Sequence, residues 1–338
     1  MKAAVLGASG YGGGETVRLL DAHPAFEVSF LGAHSKAGQM LGEVHPQLAN
    51  SDRVLAPNGD IPDDIGIAFL ALPHGASVHV ARELVAKEIM VVDMGSDYRM
   101  DTDERYQFAY GEPHAYPDEL SDWTYGLAEW VDVSGTNKVA VPGCYPTATT
   151  SALIPLAAAG LIDPSTIVVN SLTGVSGAGR KVAEPFMFGS VADGVSAYAL
   201  GAHRHRPEIE MGLKLFANVE ASVTFTPHLV PMQRGILSTC TAVAGEGVTT
   251  EQVQAALHAA YDDKPFVRVT DGPPQSRWAV GSNAVIISGL VDYHTGTVIV
   301  QGAIDNLLKG TAGQAVQLAN TMVGLDETAG LPMSGLMP

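Results

Sequence analysis

Only two cysteines, Cys144 and Cys240, occur in 338 residues, which excludes a disulfide-stapled secreted scaffold and fits a reducing compartment. Positive charge is also scarce. Nineteen Lys and Arg stand against 36 Asp and Glu, a formal charge of −17. That balance argues against nucleic acid and anionic membrane as partners, and it obliges any anion-binding site to gather its cations locally. Long apolar runs are missing too. No stretch approaches the ~20 residues of a membrane span. The opening "MKAAVLGASG" breaks at glycine too soon for a signal peptide. A soluble, cytoplasmic protein is the expectation, and 46% hydrophobic residues are enough for the cores of two domains.

What is present is ordered. "KAAVLGASGYGGGETVRLLDAHP" reads as a strand, a glycine-rich turn and a helix. Further strands are expected at "FEVSFLGAHS", "IGIAFLALPHG" and "IMVVDMGSDYR", with helical "ASVHVARELVAKE" before the last. Strands alternating with helices imply a doubly wound parallel sheet of the Rossmann type. From about residue 166 longer β segments with turn signals suggest antiparallel strands in a second, α+β domain. The expected division is 1–146 for the first domain and 147–310 for the second. A C-terminal helix, 311–338, is expected to return to the first.

Gly7, Ser9, Gly10, Tyr11, Gly12 and Gly13 follow the first strand and open the helix. Glycines there admit a pyrophosphate to the backbone, and the helix N-terminus stabilises it. The second strand ends without the acidic residue that holds NAD ribose hydroxyls. Ser35 and Lys36 offer a hydroxyl and a cation instead, which suits the 2′-phosphate of NADP.

Cys144 lies in "VAVPGCYPTA", ahead of an apolar run, at an expected helix start with Pro146 inside it and Thr147 as a cap. A helix N-terminus favours thiolate, so Cys144 reads as a nucleophile and Cys240, in a β segment, as buried filler. Most of the eleven histidines read as bystanders. "AHRHRPEIE" differs, because it groups His203, Arg204, His205 and Arg206 at the mouth of a helix expected to start at Pro207, with Glu208 just after it. One imidazole is the natural general acid/base, and His205 is preferred over His203 as nearer the helix mouth and Glu208. Glu208 orients it or meets a substrate group. No metal is expected, since His at i and i+2 with one Cys does not match zinc spacing. The cation cluster suits a substrate phosphate or carboxylate, with Arg99, Arg180 and Arg234 as further candidates. The "GVSGAG" turn, with Ser176 and Gly177, offers backbone donors.

The stretch "VAVPGCYPTATTSALIP" resembles the active-site signature of N-acetyl-gamma-glutamyl-phosphate reductases. "GASGYGGGE", "ALPHGAS", "YGLAEW", "GVSGAGRK", "AHRHRPEIE", "FTPHLVPMQRGIL" and "DNLLKGTAGQAVQ" resemble family blocks in family order. The resemblance implies the aspartate-semialdehyde dehydrogenase superfamily fold and NADPH-dependent reduction of an acyl phosphate to a semialdehyde through a cysteine thioester, in arginine biosynthesis. It adds Asn306 to the cofactor-binding set and implies a homodimer or homotetramer with a small acyl-phosphate or semialdehyde substrate. Two rivals stand beside it: the same chemistry on another substrate such as aspartyl phosphate, and a catalytically silent NADP-binding regulator.

Overall fold

The unalternating run Ala3–Leu6 is fully buried in strand β1 (Lys2–Leu6), as a strand inside a sheet with two covered faces requires. In the computed structural model, which describes residues 1–48 and 51–337, β1 belongs to a seven-stranded parallel sheet. Its other strands are β2 (Glu27–Ala33), β3 (Ala56–Pro57), β4 (Ile67–Leu70), β5 (Met90–Asp93), β6 (Thr124–Tyr125) and β7 (Lys138–Ala140). The order is β3-β2-β1-β4-β5-β7-β6. Chain order reverses between β1 and β4, and doubly wound sheets hold ligands outside the carboxyl ends of strands at such a switch point. The expected strands are β1, β2, β4 and β5. Strands β3, β6 and β7 are two or three residues long, too short to carry a periodicity.

Helix Gly313–Met322 returns to this sheet, packing against helix Tyr11–Asp21 and β5. It ends at Met322 rather than continuing towards 338, and Gly324 follows with φ 73°. Pro338 lies outside the described residues.

The second sheet contains β8 (Ile167–Thr173), β9 (Ser196–Ala197), β10 (Val223–Leu229), β11 (Ile236–Val243), β12 (Val267–Val269), β13 (Val285–Asp292) and β14 (Thr297–Ile304). Its order is β12-β13-β14-β11-β8-β10-β9. The sheet is mixed, not purely antiparallel: β8 pairs with β10, and β12 with β13, in parallel. Helix His205–Ala217 intervenes between β8 and β10, the kind of crossover that parallel neighbours need.

Helix Cys144–Ala158 packs on β11, β14 and the His205 helix, and is buried from Tyr145 through Ala157. Its seat on β14 is tight, because a Cβ on Gly302 would lie 2.4 Å from the Ala148 carbonyl oxygen. The chain divides into two units. One holds Met1–Asp103, His114–Pro142 and Thr311–Leu331; the other holds Glu104–Pro113, Gly143–Gly310 and the tail from Pro332. The division falls after Pro142, four residues before the expected boundary, because the whole Cys144 helix belongs to the second sheet. Tail residues cross to that unit as well, with the Leu336 N–H donating to the Val280 carbonyl at 2.7 Å.

Gly302→Ala is expected to destabilise the chain by about 1–3 kcal/mol through overpacking. Denaturant unfolding checks this, and a loss under about 0.5 kcal/mol would show that the Cys144 helix shifts freely.

Candidate active site

The glycine turn is built for close approach. Gly7 has φ +78°, and a Cβ there would sit 2.3 Å from the Ala71 carbonyl oxygen just beyond β4. Gly10 is the N-cap of helix Tyr11–Asp21, with no side-chain cap and no acidic residue in the first turn. Nothing acidic in that turn opposes an anion at the helix mouth. Ser9 lies in the turn, while Tyr11, Gly12 and Gly13 open the helix. Ser35 and Lys36 are exposed just past the end of β2.

Cys144 is the first residue of its helix, with Gly143 as N-cap, and its side chain is half-buried. It lines a cavity of about 340 Å³ within the second unit, together with Tyr145, Tyr198, His203, Arg204 and His205. Pro185, Phe186 and Leu229 supply apolar wall, and none of the lining residues is Asp or Glu. His205 opens the second helix, two residues earlier than expected, with Arg204 as its N-cap. Two helix N-termini therefore line one cavity.

Glu208 joins them. It is fully buried in the first turn of the His205 helix; its Oε1 accepts the Gly143 N–H at 2.7 Å, and its Oε2 lies 3.9 Å from His205 Nε2. Burial places the Glu208 carboxylate against Gly143 and His205. Thr147 does not cap the cysteine helix, because its hydroxyl donates to the Gly143 carbonyl at 3.0 Å. Gly310 closes the other side of Cys144: a Cβ there would meet Cys144 Cβ at 2.7 Å.

The two histidines differ. His203 Nδ1 accepts the His205 N–H at 3.1 Å, so the proton of the neutral ring sits on Nε2. Tyr145, Tyr198 and Phe225 pack edge-on around His203 at 5.7, 5.6 and 5.2 Å between centroids. Burial, and then the Arg204 charge, lowers its pKa to about 4. His203 is thus neutral at pH 7, whereas His205 faces a carboxylate. The Tyr145 and Tyr198 hydroxyls lie 2.9 Å apart, and burial raises both phenols, Tyr198 to about 12. Cys240 is fully buried in β11, which pushes its thiol well above the usual range.

Other expected residues lie elsewhere. The Arg206 guanidinium stacks on Phe108 at 4.8 Å and donates to the Gly201 carbonyl, so Arg204 is the cavity's arginine. Arg99, in the first unit, donates to the carbonyls of Val141 and Met94. Arg234 pairs with buried Asp305 at 3.0 Å, and Arg180 is exposed. Gly177 lines the cavity, but Ser176 accepts from Asn306 Nδ2 at 3.0 Å. Asn306 Oδ1 in turn accepts the Gly235 N–H at 2.7 Å, so Asn306 ties two loops of the second unit together. Tyr198 and Phe186 were not found by sequence reasoning, since Tyr198 lies just past the two-residue β9 and Phe186 ends a three-residue helical turn, with no spacing to mark either. Among the described residues, no group of three or more His, Cys, Asp or Glu is placed to hold a metal ion, and no helix is long and apolar enough to cross a membrane.

Residues 2–134 match the family model "Semialdehyde dehydrogenase, NAD binding domain", and residues 144–306 match "Semialdehyde dehydrogenase, dimerisation domain". A curated N-acetyl-gamma-glutamyl-phosphate reductase from Frankia casuarinae is 45% identical over 99% of this chain and 98% of its own. One from Streptomyces coelicolor is 45% identical over 100% and 99%. The chain belongs to the N-acetyl-gamma-glutamyl-phosphate reductase family. The fold is shared with aspartate semialdehyde dehydrogenase II from Vibrio cholerae (TM-score 0.74, 19% identity, 96% of this chain and 98% of that one). It is also shared with the aspartate semialdehyde dehydrogenase of Candida albicans solved with NADP (TM-score 0.66, 18% identity, 95% and 97%).

Two outcomes follow for this family member. Iodoacetamide at neutral pH is expected to label Cys144 alone on the folded chain and both cysteines in denaturant, read by peptide mass spectrometry; equal native labelling would contradict the assignment. His203 is held neutral by the fold, so the unfolded chain takes up that proton first as pH falls. Stability should drop between pH 6.5 and about 4, by at most about 3 kcal/mol. His203→Gln should remove this part of the slope in pH-dependent unfolding, and an unchanged slope would refute it.

Proposed function

We propose that this chain reduces N-acetyl-γ-glutamyl phosphate with NADPH, giving N-acetylglutamate 5-semialdehyde and phosphate in arginine biosynthesis. The observation that carries the reading is the shared cavity of Cys144 and His205, each opening a helix, with Glu208 between those helices. Cys144 gives its thiol proton to His205 and, as a thiolate favoured at a helix N-terminus, attacks the γ-carbonyl; the C–S bond forms, the bond from that carbon to the bridging phosphate oxygen breaks, and phosphate leaves. Two helix N-termini and Arg204 stabilise the dianion, while the His203 Nε2–H is a neutral donor for the carbonyl oxygen. NADPH, when bound, supplies hydride to the thioester carbon. His205, with Glu208 beside it, gives its proton to the resulting oxyanion. The thiohemiacetal then loses its hydroxyl proton to His205 as the C–S bond breaks, restoring the thiolate and releasing the aldehyde.

The first unit supplies the dinucleotide cradle, Gly7 to Gly13, with Ser35 and Lys36 selecting the 2′-phosphate of NADP. Gly177 contributes to the substrate cavity; Ser176, Asn306 and Arg99 act by holding loops, and Arg180 and Arg206 play no direct part. The second unit assembles the homodimer or homotetramer. A cytoplasmic setting keeps Cys144 reduced.

Aspartyl phosphate is the rival substrate. Its α-ammonium would need a carboxylate in the cavity, and none lines it. An N-acylated substrate brings a neutral amide, which the Tyr145–Tyr198 hydroxyl pair and apolar walls suit. A silent regulator would have no use for the Cys144–His205 arrangement.

The test is phosphate-dependent reduction of NADP by N-acetylglutamate semialdehyde, beside aspartate semialdehyde. Turnover with the acetylated substrate alone is expected. Cys144→Ser should lower kcat by about three orders of magnitude or more, and His205→Gln by about 10²–10⁴-fold. Turnover with aspartate semialdehyde would overturn the substrate, and full activity of Cys144→Ser would overturn the mechanism.

A further inference from the structure

In the first unit, two acids sit at or just beyond the end of β5, fully buried and outside the chemistry above: Asp93 and Asp97. The fully buried hydroxyl of Ser77 lies between them, 3.0 Å from Asp93 Oδ2 and 2.8 Å from Asp97 Oδ2. Asp97 also accepts the backbone N–H groups of Gly75 at 2.8 Å and Ser77 at 3.1 Å, and lies 2.9 Å from His74 Nδ1. That donor set is the set of an ionised carboxylate. Asp93 Oδ1 takes only the Gly95 N–H among these, at 2.7 Å.

A hydroxyl has one hydrogen to donate. If Ser77 gives it to Asp97, the contact to Asp93 is a hydrogen bond only when Asp93 Oδ2 carries a proton and donates it to Ser77 Oγ. The chain then runs from neutral Asp93 through Ser77 to ionised Asp97. Charge points the same way. Arg99 is the cation whose field favours ionised Asp93, and it balances one buried carboxylate rather than two. The remaining neighbours are the partly exposed His74 on Asp97 and Tyr98, whose hydroxyl donates to the Val78 carbonyl. Burial first, and then the Asp97 charge, raises the Asp93 pKa to about 7.

What this chain of hydrogen bonds holds is the turn after β4. Gly75 and Ser77 are fixed by Asp97, and Ser77 is the N-cap of helix Val78–Ala86. The same segment begins at Ala71, whose carbonyl oxygen abuts Gly7 of the glycine turn. It thus adjoins the dinucleotide cradle at the β1/β4 switch point.

We propose that Asp93 is a proton-holding positioning residue, which in its neutral form donates through Ser77 to Asp97 and keeps the 73–77 turn in the shape NADP(H) binding requires. The proposal rests on the cofactor assignment above. As pH rises through neutrality the proton leaves, two carboxylates face one hydroxyl, and the turn loosens. Affinity should be constant at low pH and weaken above it, by no more than about tenfold per pH unit for a single proton.

The test is NADPH titration by fluorescence from pH 6 to 8.5 on the full chain, wild type and Asp93→Asn, whose amide preserves the donor to Ser77. Infrared spectra of the same proteins look for the C=O stretch of a buried neutral carboxylic acid. The wild-type Kd is expected to rise several-fold across the range, the Asn variant to hold the low-pH value, and a neutral-acid band to disappear from the wild type near pH 7. Parallel Kd profiles, or no neutral-acid band at pH 6, would overturn the proposal. The wild-type spectra decide alone if Asp93→Asn fails to fold. Absence of NADPH binding at every pH would instead sink the cofactor assignment.

Discussion

One hydrogen bond, from the Gly143 N–H to Glu208 Oε1 at 2.7 Å, fixes the register between the helix that begins at Cys144 and the helix that begins at His205. Both helices lie on the second sheet and pack against each other. Removing the carboxylate would leave a buried N–H without its acceptor and His205 without the charge facing it, and each loss is costly in a low-dielectric interior. Close packing supports the bond: the Cys144 helix has no room to slide at Gly302, and Gly310 backs the cysteine.

The electrostatics of the cavity follow from that clamp. A chain of formal charge −17 repels a phosphorylated substrate at long range, so attraction must be local. Two helix N-termini, Arg204 and a neutral histidine donor provide it, without an acidic side chain lining the cavity. Glu208 is fully buried and engaged with Gly143 and His205. Cys144 and Arg204 thereby face one cavity at the N-termini of two helices.

The parts legible in the sequence were those in which residue type and local context agree. Cys144 follows Pro142 and Gly143 at a helix start, the glycine turn follows an unalternating strand, and His205 and Glu208 stand close together at a helix mouth. What escaped depends on phase and tertiary contact. Starting the His205 helix two residues earlier exchanges Arg206 for Arg204 at the cavity, a shift that charge patterning does not register. Arg99 and Arg234 resemble anion ligands by composition, yet one donates to backbone carbonyls and the other to Asp305. Tyr198 lies on irregular chain, and strands of two or three residues have no period to detect. Asp93 and Asp97, four residues apart, look like surface acids until β5 and the turn after β4 enclose them.

The proposed reaction requires that an acyl group pass through Cys144. Intact-protein and peptide mass spectrometry after mixing the chain with N-acetyl-γ-glutamyl phosphate, with NADPH withheld, tests it most directly. One N-acetylglutamyl group on Cys144 is expected, discharged as the semialdehyde when NADPH is added. An enzyme that turns over with NADPH yet never acquires mass at Cys144 would mean direct hydride transfer to the acyl phosphate and would contradict it.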